Sequence, residues 1–409
     1  MVVRNCTLRG RSGAYTIRFA DGRVEEIEEQ SGPGTSAVGD SETLDADGAL
    51  VTEPFVNGHL HLCKVYTLDQ LGDSAIAQYH APGMGGAMTA IEAAAAVKRG
   101  YQREKLLPGI RRALELAAAN GVSHIRAFAD TDTTAGLEGI AAVMEGREEF
   151  RHAVTVQAVA FPQDGVVRDP GAAELIRQAL EMGADVVGGI PWIELTDADA
   201  TEHIRLMMDL AGEFDRDVSM LVDDAGDAGL RTLETLAVET HRRGWHHRVT
   251  AQHARAMALY PEPYFRKVVG LLKRAGVGVV SDPHTGPLHA RVRDLREAGV
   301  PVALGQDDIT DAYYPFGRNN MLEVAFLAAH LLWMTAAEDM EGLYDMITVD
   351  AARVLNLKAD QYGLRPGGPA DLVIHRHATI REVLRDHSAP AVVIRGGRVI
   401  ARNGEYLPG

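Results

Sequence analysis

From residue 51 to about 357 the chain alternates short apolar runs of four to eight residues with longer stretches in which apolar positions recur at helical spacing. The first kind reads as strands and the second as amphipathic helices, so the pattern predicts repeated βα units around a parallel sheet. Eight strands are expected, at 53–61, 123–130, 153–161, 185–192, 217–224, 248–253, 277–282 and 301–307. Helical segments such as 102–119, 172–182, 200–214 and 230–243 fall between them. That count fits a closed barrel better than an open sheet.

The two ends of the chain read differently. Strand-like runs at 2–8, 15–19 and 23–28 are broken by turns such as Asp21-Gly22, and β patterning returns at 370–375 and at 391–402 around Gly396-Gly397. The expected fold is therefore α/β: a (β/α)8 TIM barrel over 51–359, with a small β-sandwich formed by 1–50 together with 360–409. A Gly/Ser/Asp-rich stretch at 31–41 reads as a surface loop.

Composition narrows the partners. The chain has 409 residues, of which 46% are hydrophobic and 24% charged, enough for a barrel of about 250 residues or more plus an appendage. A formal net charge of −16 without a Lys/Arg cluster argues against nucleic acid and anionic membranes and for a small neutral or cationic substrate. Cys6 and Cys63 are the only cysteines, so no disulfide framework or CxxC pair exists and a reducing cytoplasm is expected. No apolar run reaches the roughly 18 residues of a membrane span, and residues 1–9 lack the apolar core of a secretion signal.

In a parallel barrel the chemistry lies at the C-terminal ends of the strands. The first run closes with His59-Leu60-His61, whose alternation places both imidazoles on one face, where they could hold a divalent metal. An HxH pair alone is weak evidence. Here it has company, since Asp223-Asp224, His253 and Gly305-Gln306-Asp307-Asp308 end the fifth, sixth and eighth runs.

These residues lie in longer motifs. They are Glu53-Pro54-Phe55-Val56-Asn57-Gly58-His59-Leu60-His61-Leu62, 157–165, 183–191, Arg248-Val249-Thr250-Ala251-Gln252-His253, 305–308 and Tyr314-Pro315-Phe316-Gly317. Together they resemble the amidohydrolase superfamily over almost the whole chain, in particular its cytosine deaminase and N-isopropylammelide isopropylaminohydrolase subgroup. The resemblance implies one divalent transition metal ion (zinc, iron or manganese) that activates water to attack an amidine-like ring carbon, from which the exocyclic amine departs. By the same resemblance His59 and His61 are metal ligands, Asp307 binds metal and takes the proton, His253 orients the water and Asp224 stands at the acid/base position. Gln163 reads the substrate's amide edge and Asp308 touches the ring or its departing group. Trp192, at the end of the fourth run, is placed with them in the substrate set. A homo-oligomer completes the expectation.

Three departures mark this chain. Leu221 stands where a third metal-binding histidine belongs, Phe128 replaces a histidine, and Cys63 replaces an aspartate after the HxH motif. Asp223, two residues beyond Leu221, and His284, after the seventh run, are the candidate substitutes for the missing ligand. Failing both, Leu221 forms an apolar wall suited to a less polar substrate than cytosine. His246 and His247 precede the sixth strand at the bottom face and are assigned to surface or packing roles. The glycine-rich run 82–88 lacks the Gly-Lys-Ser/Thr ending of a phosphate loop and reads as a flexible active-site loop. The expected function is metal-dependent hydrolysis of a C–N bond in a small cyclic amidine, amide or aminated heterocycle. The alternative is a metal-poor barrel acting as a lyase, isomerase or ligand binder.

Overall fold

A computed structural model describes residues 1–30, 43–70 and 95–408; the runs at 31–41 and 82–88 lie outside them. The amino-terminal strands are β1 (Val2–Leu8), β2 (Tyr15–Ala20), β3 (Arg23–Glu29), β4 (Thr43–Asp45) and β5 (Leu50–Thr52). The barrel strands are β6 (Phe55–Leu60), β7 (Val122–Asp130), β8 (Thr155–Phe161), β9 (Val186–Gly189), β10 (Asp217–Val222), β11 (Val249–His253), β12 (Gly278–Ser281) and β13 (Val302–Leu304). β14 (Leu372–Ile374), β15 (Val392–Arg395), β16 (Arg398–Arg402) and β17 (Glu405–Tyr406) follow.

The two chain ends build one small β-sandwich whose strand path runs β17-β16-β15-β14-β5-β1-β2-β3, with β4 beside β1. Its halves meet where β5 pairs antiparallel with β14, Val51 opposite Ile374 and Thr52 opposite Val373. Val3, Ile17, Phe19, Leu372 and Ile394 fill its core. The β15–β16 hairpin turns on Gly396 and Gly397, with φ of 55° and 76°; both central positions of such a tight turn need positive φ, which glycine adopts without strain.

β6 to β13 pair in sequence order as a parallel sheet. Helices cover the outer face, so the strands are buried on both sides; every residue of β7 is buried. The barrel closes between its first and last strands through a bridge from Leu60 to Asp307. There Asp307 N donates to His59 O at 2.9 Å, and His61 N donates to Asp307 O at 2.8 Å. Helices between strands include Arg103–Ala119, Ala172–Glu181, Asp197–Phe214 and Thr232–Arg242. The third begins three residues earlier than its apolar period suggests, because Thr196 caps it by accepting from Asp199 N. Among the described residues no helix is long and apolar enough to cross a membrane.

The seam leaves no room beside it. A Cβ on Gly305 would come within 2.5 Å of Asp282 Oδ1 and 2.6 Å of His59 Cβ. Gly305→Ala is expected to lower stability by about 1–3 kcal/mol through overpacking, read as a lower midpoint of denaturant unfolding; an unchanged midpoint would show that the seam can give way.

Candidate active site

Three polar side chains converge from the seam and from β11. His59, His253 and Asp307 are all buried and each offers one ligand atom within 4.8 Å of the others; His61, Asp307 and Asp308 form a second such trio among the described residues. His59 Nε2 lies 3.2 Å from Asp307 Oδ1 and is buried without a hydrogen bond. The Nε2 atoms of His61 and His253 each lie 3.9 Å from the same oxygen. Nitrogen and carboxylate donors around an unsatisfied buried nitrogen fit a divalent metal.

The neighbours orient these donors. His59 Nδ1 contacts Gln252 Oε1 at 3.1 Å, and Gln252 Nε2 donates to Ser219 Oγ at 2.8 Å. His253 Nδ1 lies 2.5 Å from Asp282 Oδ2. Asp307 Oδ2 accepts from Thr285 Oγ1 at 2.7 Å and from Arg255 Nη2 at 3.3 Å, which leaves Oδ1 to the histidines. Arg255 also stands 3.2 Å from Asp224. Burial works to depress the His253 imidazole, but Asp224, Asp307 and Asp282 outweigh it and push it up to about 9. Burial would raise the Asp307 carboxyl, yet His253, His59 and Arg255 hold it well below its ordinary range. Asp308 is driven well above that range, first by burial and then by Asp307 and Asp311.

Above the trio lies a cavity onto which Gln163, Trp192, Asp224 and Asp308 face, with Leu221 and Ile190 on one side and Tyr313 among its other walls. Leu221 and Phe128, the two positions where the resemblance leads one to expect histidines, belong to one buried apolar cluster with Val159, Phe161 and Ile190. The Phe128 ring stands 4.2 Å from that of His59, centre to centre.

Of the candidate substitutes for the missing ligand, neither joins the trios. β10 ends at Val222, and Asp223 adopts a φ of 46°, so strand alternation no longer sets its direction. Its carboxylate accepts from Thr232 N and Oγ1, both at 2.7 Å, and from the Tyr260 hydroxyl. His284 turns its Nε2 to Gln306 O at 3.2 Å and its ring toward Tyr314. His246 and His247 lie before β11, where His246 Nδ1 bonds Ala275 O. The Cys63 thiol, pushed up by burial, accepts from Asp130 N at 3.3 Å.

Two of the buried cations, both beside the trios, have no counterpart in the sequence expectations. Lys64 is 3% exposed, stands 3.4 Å from Asp130 Oδ1, donates to Gln163 Oε1 and reaches His61 Nδ1 at 3.4 Å. Arg255 is the other, two residues beyond His253. The available signal was a charged residue inside an apolar run just past a strand end.

An amidohydrolase family profile matches residues 99–401. N-isopropylammelide isopropyl amidohydrolase of Pseudomonas sp. is 29% identical over 404 residues, covering 98% of this chain and 97% of that protein. Pterin deaminase of Rhizobium rhizogenes is 26% identical, covering 95% and 88%. The crystal structure of Klebsiella pneumoniae 5-methylcytosine deaminase with 5-fluorocytosine superposes with a TM-score of 0.90 at 31% identity, covering 100% and 99%. The chain belongs to the amidohydrolase family. With its barrel and its His/His/Asp cluster it is a metal-dependent hydrolase acting on a carbon–nitrogen bond.

Asp223→Ala removes three hydrogen bonds of the loop after β10 and nothing from the trio. It should cost about 1–3 kcal/mol of stability while metal content per chain stays at the wild-type value; loss of metal with stability unchanged would return Asp223 to the ligand set.

Proposed function

We propose that the chain hydrolyses the exocyclic C–N bond of a small aminated heterocycle other than cytosine. The observation that carries this is the convergence of buried, oriented His59, His253 and Asp307 beneath a cavity that Gln163, Asp308 and Trp192 line. A zinc, iron or manganese ion held there would bring the pKa of a water toward neutrality. Asp307 is held by Thr285 and Arg255 so that Oδ1 faces the reacting centre and takes the proton. Asp224, whose carboxyl burial raises, stands 3.9 Å from His253 Nε2 and suits return of a proton to the leaving nitrogen. Leu221, Ile190 and Trp192 offer a planar ring an apolar face.

Gln163 sets one edge of the ring. An ammonium donates only, so the amide oxygen of Gln163 faces Lys64 and its NH2 group is left for the substrate. The ring therefore presents an acceptor there, a carbonyl oxygen or an unprotonated ring nitrogen. The relatives named above are named for N-isopropylammelide, pterin and 5-methylcytosine, which supports an aminated ring and leaves this wall to choose among them. A homo-oligomer in the cytoplasm belongs to the same reading, in keeping with the acidic charge and two reduced cysteines.

The test is metal content together with ammonia or amine release from a panel of aminopyrimidines, aminotriazines, cyclic ureas and creatinine-like compounds. His59→Ala and Asp307→Ala should each lower kcat by about 1,000-fold or more with circular dichroism unchanged; near-wild-type turnover in either folded variant rejects the hydrolase mechanism. No metal after metal-supplemented expression would favour the metal-poor barrel, the reading that Leu221 and Phe128 on their own support. Gln163→Ala should cost about 1–3 kcal/mol in kcat/KM, and Gln163→Glu as much, since it keeps an oxygen toward Lys64 but loses the donor. Unaltered kinetics in both would make Gln163 a structural residue.

A further inference from the structure

We infer that Glu194 and His203 form a positioning pair that locks the loop carrying Gln163 to the turn carrying Trp192 and so sets which ring the cavity accepts. The inference rests on the proposed hydrolase reading and concerns the walls of the cavity, not its metal. Neither side chain has solvent contact, and His203 Nδ1 lies 2.7 Å from Glu194 Oε1. The other ring nitrogen settles where the proton is. Ile190 N donates to His203 Nε2 at 3.1 Å, so Nε2 is the bare nitrogen and Nδ1 gives its N–H to Glu194. Burial outweighs the Glu194 carboxylate and holds this imidazole below its ordinary range, so the ring is neutral.

The carboxylate then crosses to the neighbouring loop. Glu194 Oε1 accepts from Val166 N at 2.7 Å and from Val167 N at 3.1 Å, and Oε2 accepts from Arg168 N at 2.8 Å. Arg168 Nη1 returns a bond to Ile193 O at 3.0 Å. Burial would raise the Glu194 carboxyl, but His203 and the backbone N–H groups hold it below its ordinary range. These bonds tie the segment after β8 to the turn after β9, and both to the helix Asp197–Phe214 that carries His203. Gln163 is thereby anchored on both sides, because Asp164 next to it lies 2.5 Å from Lys98 Nζ and accepts from Thr134 Oγ1 at 2.7 Å. On the other segment Ile190 and Trp192 face the cavity. The fit has no slack: a Cβ on Gly165 would come within 3.0 Å of Glu194 Oε1, and one on Gly189 within 3.0 Å of His203 Nε2. None of these bonds reaches His59, His253 or Asp307, so the pair acts on a substrate through Gln163, Ile190 and Trp192 alone. A buried polar network with every member paired gives direction to the side chains that it supports.

The experiment is steady-state kinetics of the metal-loaded full chain with 5-methylcytosine, N-isopropylammelide and the aminopyrimidines and aminotriazines of the panel. His203→Ala should raise KM about tenfold or more, with kcat within about threefold of wild type, and the loss should differ between compounds so that discrimination narrows; metal content should not change. Glu194→Gln serves if the alanine variant does not fold, because it keeps the shape of the side chain but sets an NH2 group against a backbone N–H. In a Gln163→Ala background either substitution should raise KM by at most about threefold, since the residue through which it acts is gone. A folded variant that is less stable yet keeps wild-type KM and discrimination makes the pair purely structural and overturns the inference, and so does a loss confined to kcat or one fully additive with Gln163→Ala. All three leave the hydrolase reading standing. No turnover of any compound by the metal-loaded wild-type chain would instead reject that reading, and the inference with it.

Discussion

The site depends on the way the barrel closes. Two backbone hydrogen bonds, Asp307 N to His59 O and His61 N to Asp307 O, tie the first strand to the end of the last. Barrel closure and site assembly are therefore one event: the bonds that remove the last open sheet edge also fix His59 and Asp307 side by side. Gly305 lets the chains approach this closely. The left-handed backbone at Asp307, with φ of 67°, and at His253, with φ of 64°, then turns both residues out of the strand direction. Non-glycine residues rarely adopt such angles, and the strain persists because the closed barrel over-determines it.

Closure also buries charge. Lys64 with Asp130, Arg255 with Asp224 and Asp307, and His253 with Asp282 lie in a region almost without solvent contact. Ion pairs in such surroundings gain little net stability, while loss of one partner strands the other at a cost of about 3–5 kcal/mol. Their value lies in direction. Thr285 and Arg255 occupy one oxygen of Asp307 so that the other faces the histidines, and Lys64 occupies one end of the Gln163 amide so that the other faces the cavity.

The barrel was legible because parallel strands buried on both faces leave unbroken apolar runs, and β7 to β8 and β10 to β11 fall close to where those runs predict. The ends of the strands were less so. Period-2 alternation holds only while the backbone stays extended, and it fails at Asp223, which turns to Thr232 and Tyr260 instead of following Leu221. The fourth strand stops at Gly189, short of the expected 192, and Trp192 reaches the cavity from a short turn, Pro191–Ile193. His203 holds that turn by accepting from Ile190 N at 3.1 Å while its Nδ1 lies 2.7 Å from Glu194. Lys64 and Arg255 went unread because a lone cation after a strand has no periodic signature; only the folded barrel shows what it faces.

Leu221 and Phe128, where the family resemblance leads one to expect histidines, lie in the same part of the barrel. Both belong with Phe161, Val159 and Ile190 to one buried apolar cluster, and the Phe128 ring also packs against those of His59 and His61. The polar work of the site is thereby pushed to the opposite side, to β11, the seam and the loops that carry Asp282, Thr285 and Arg255. The cavity thus joins apolar walls at Leu221 and Ile190 to the Gln163 amide and to His253 and Asp307 of the buried trio. The carboxylate of Asp307 is oriented without any group from position 221, because Thr285 and Arg255 hold its second oxygen while His59 faces the first.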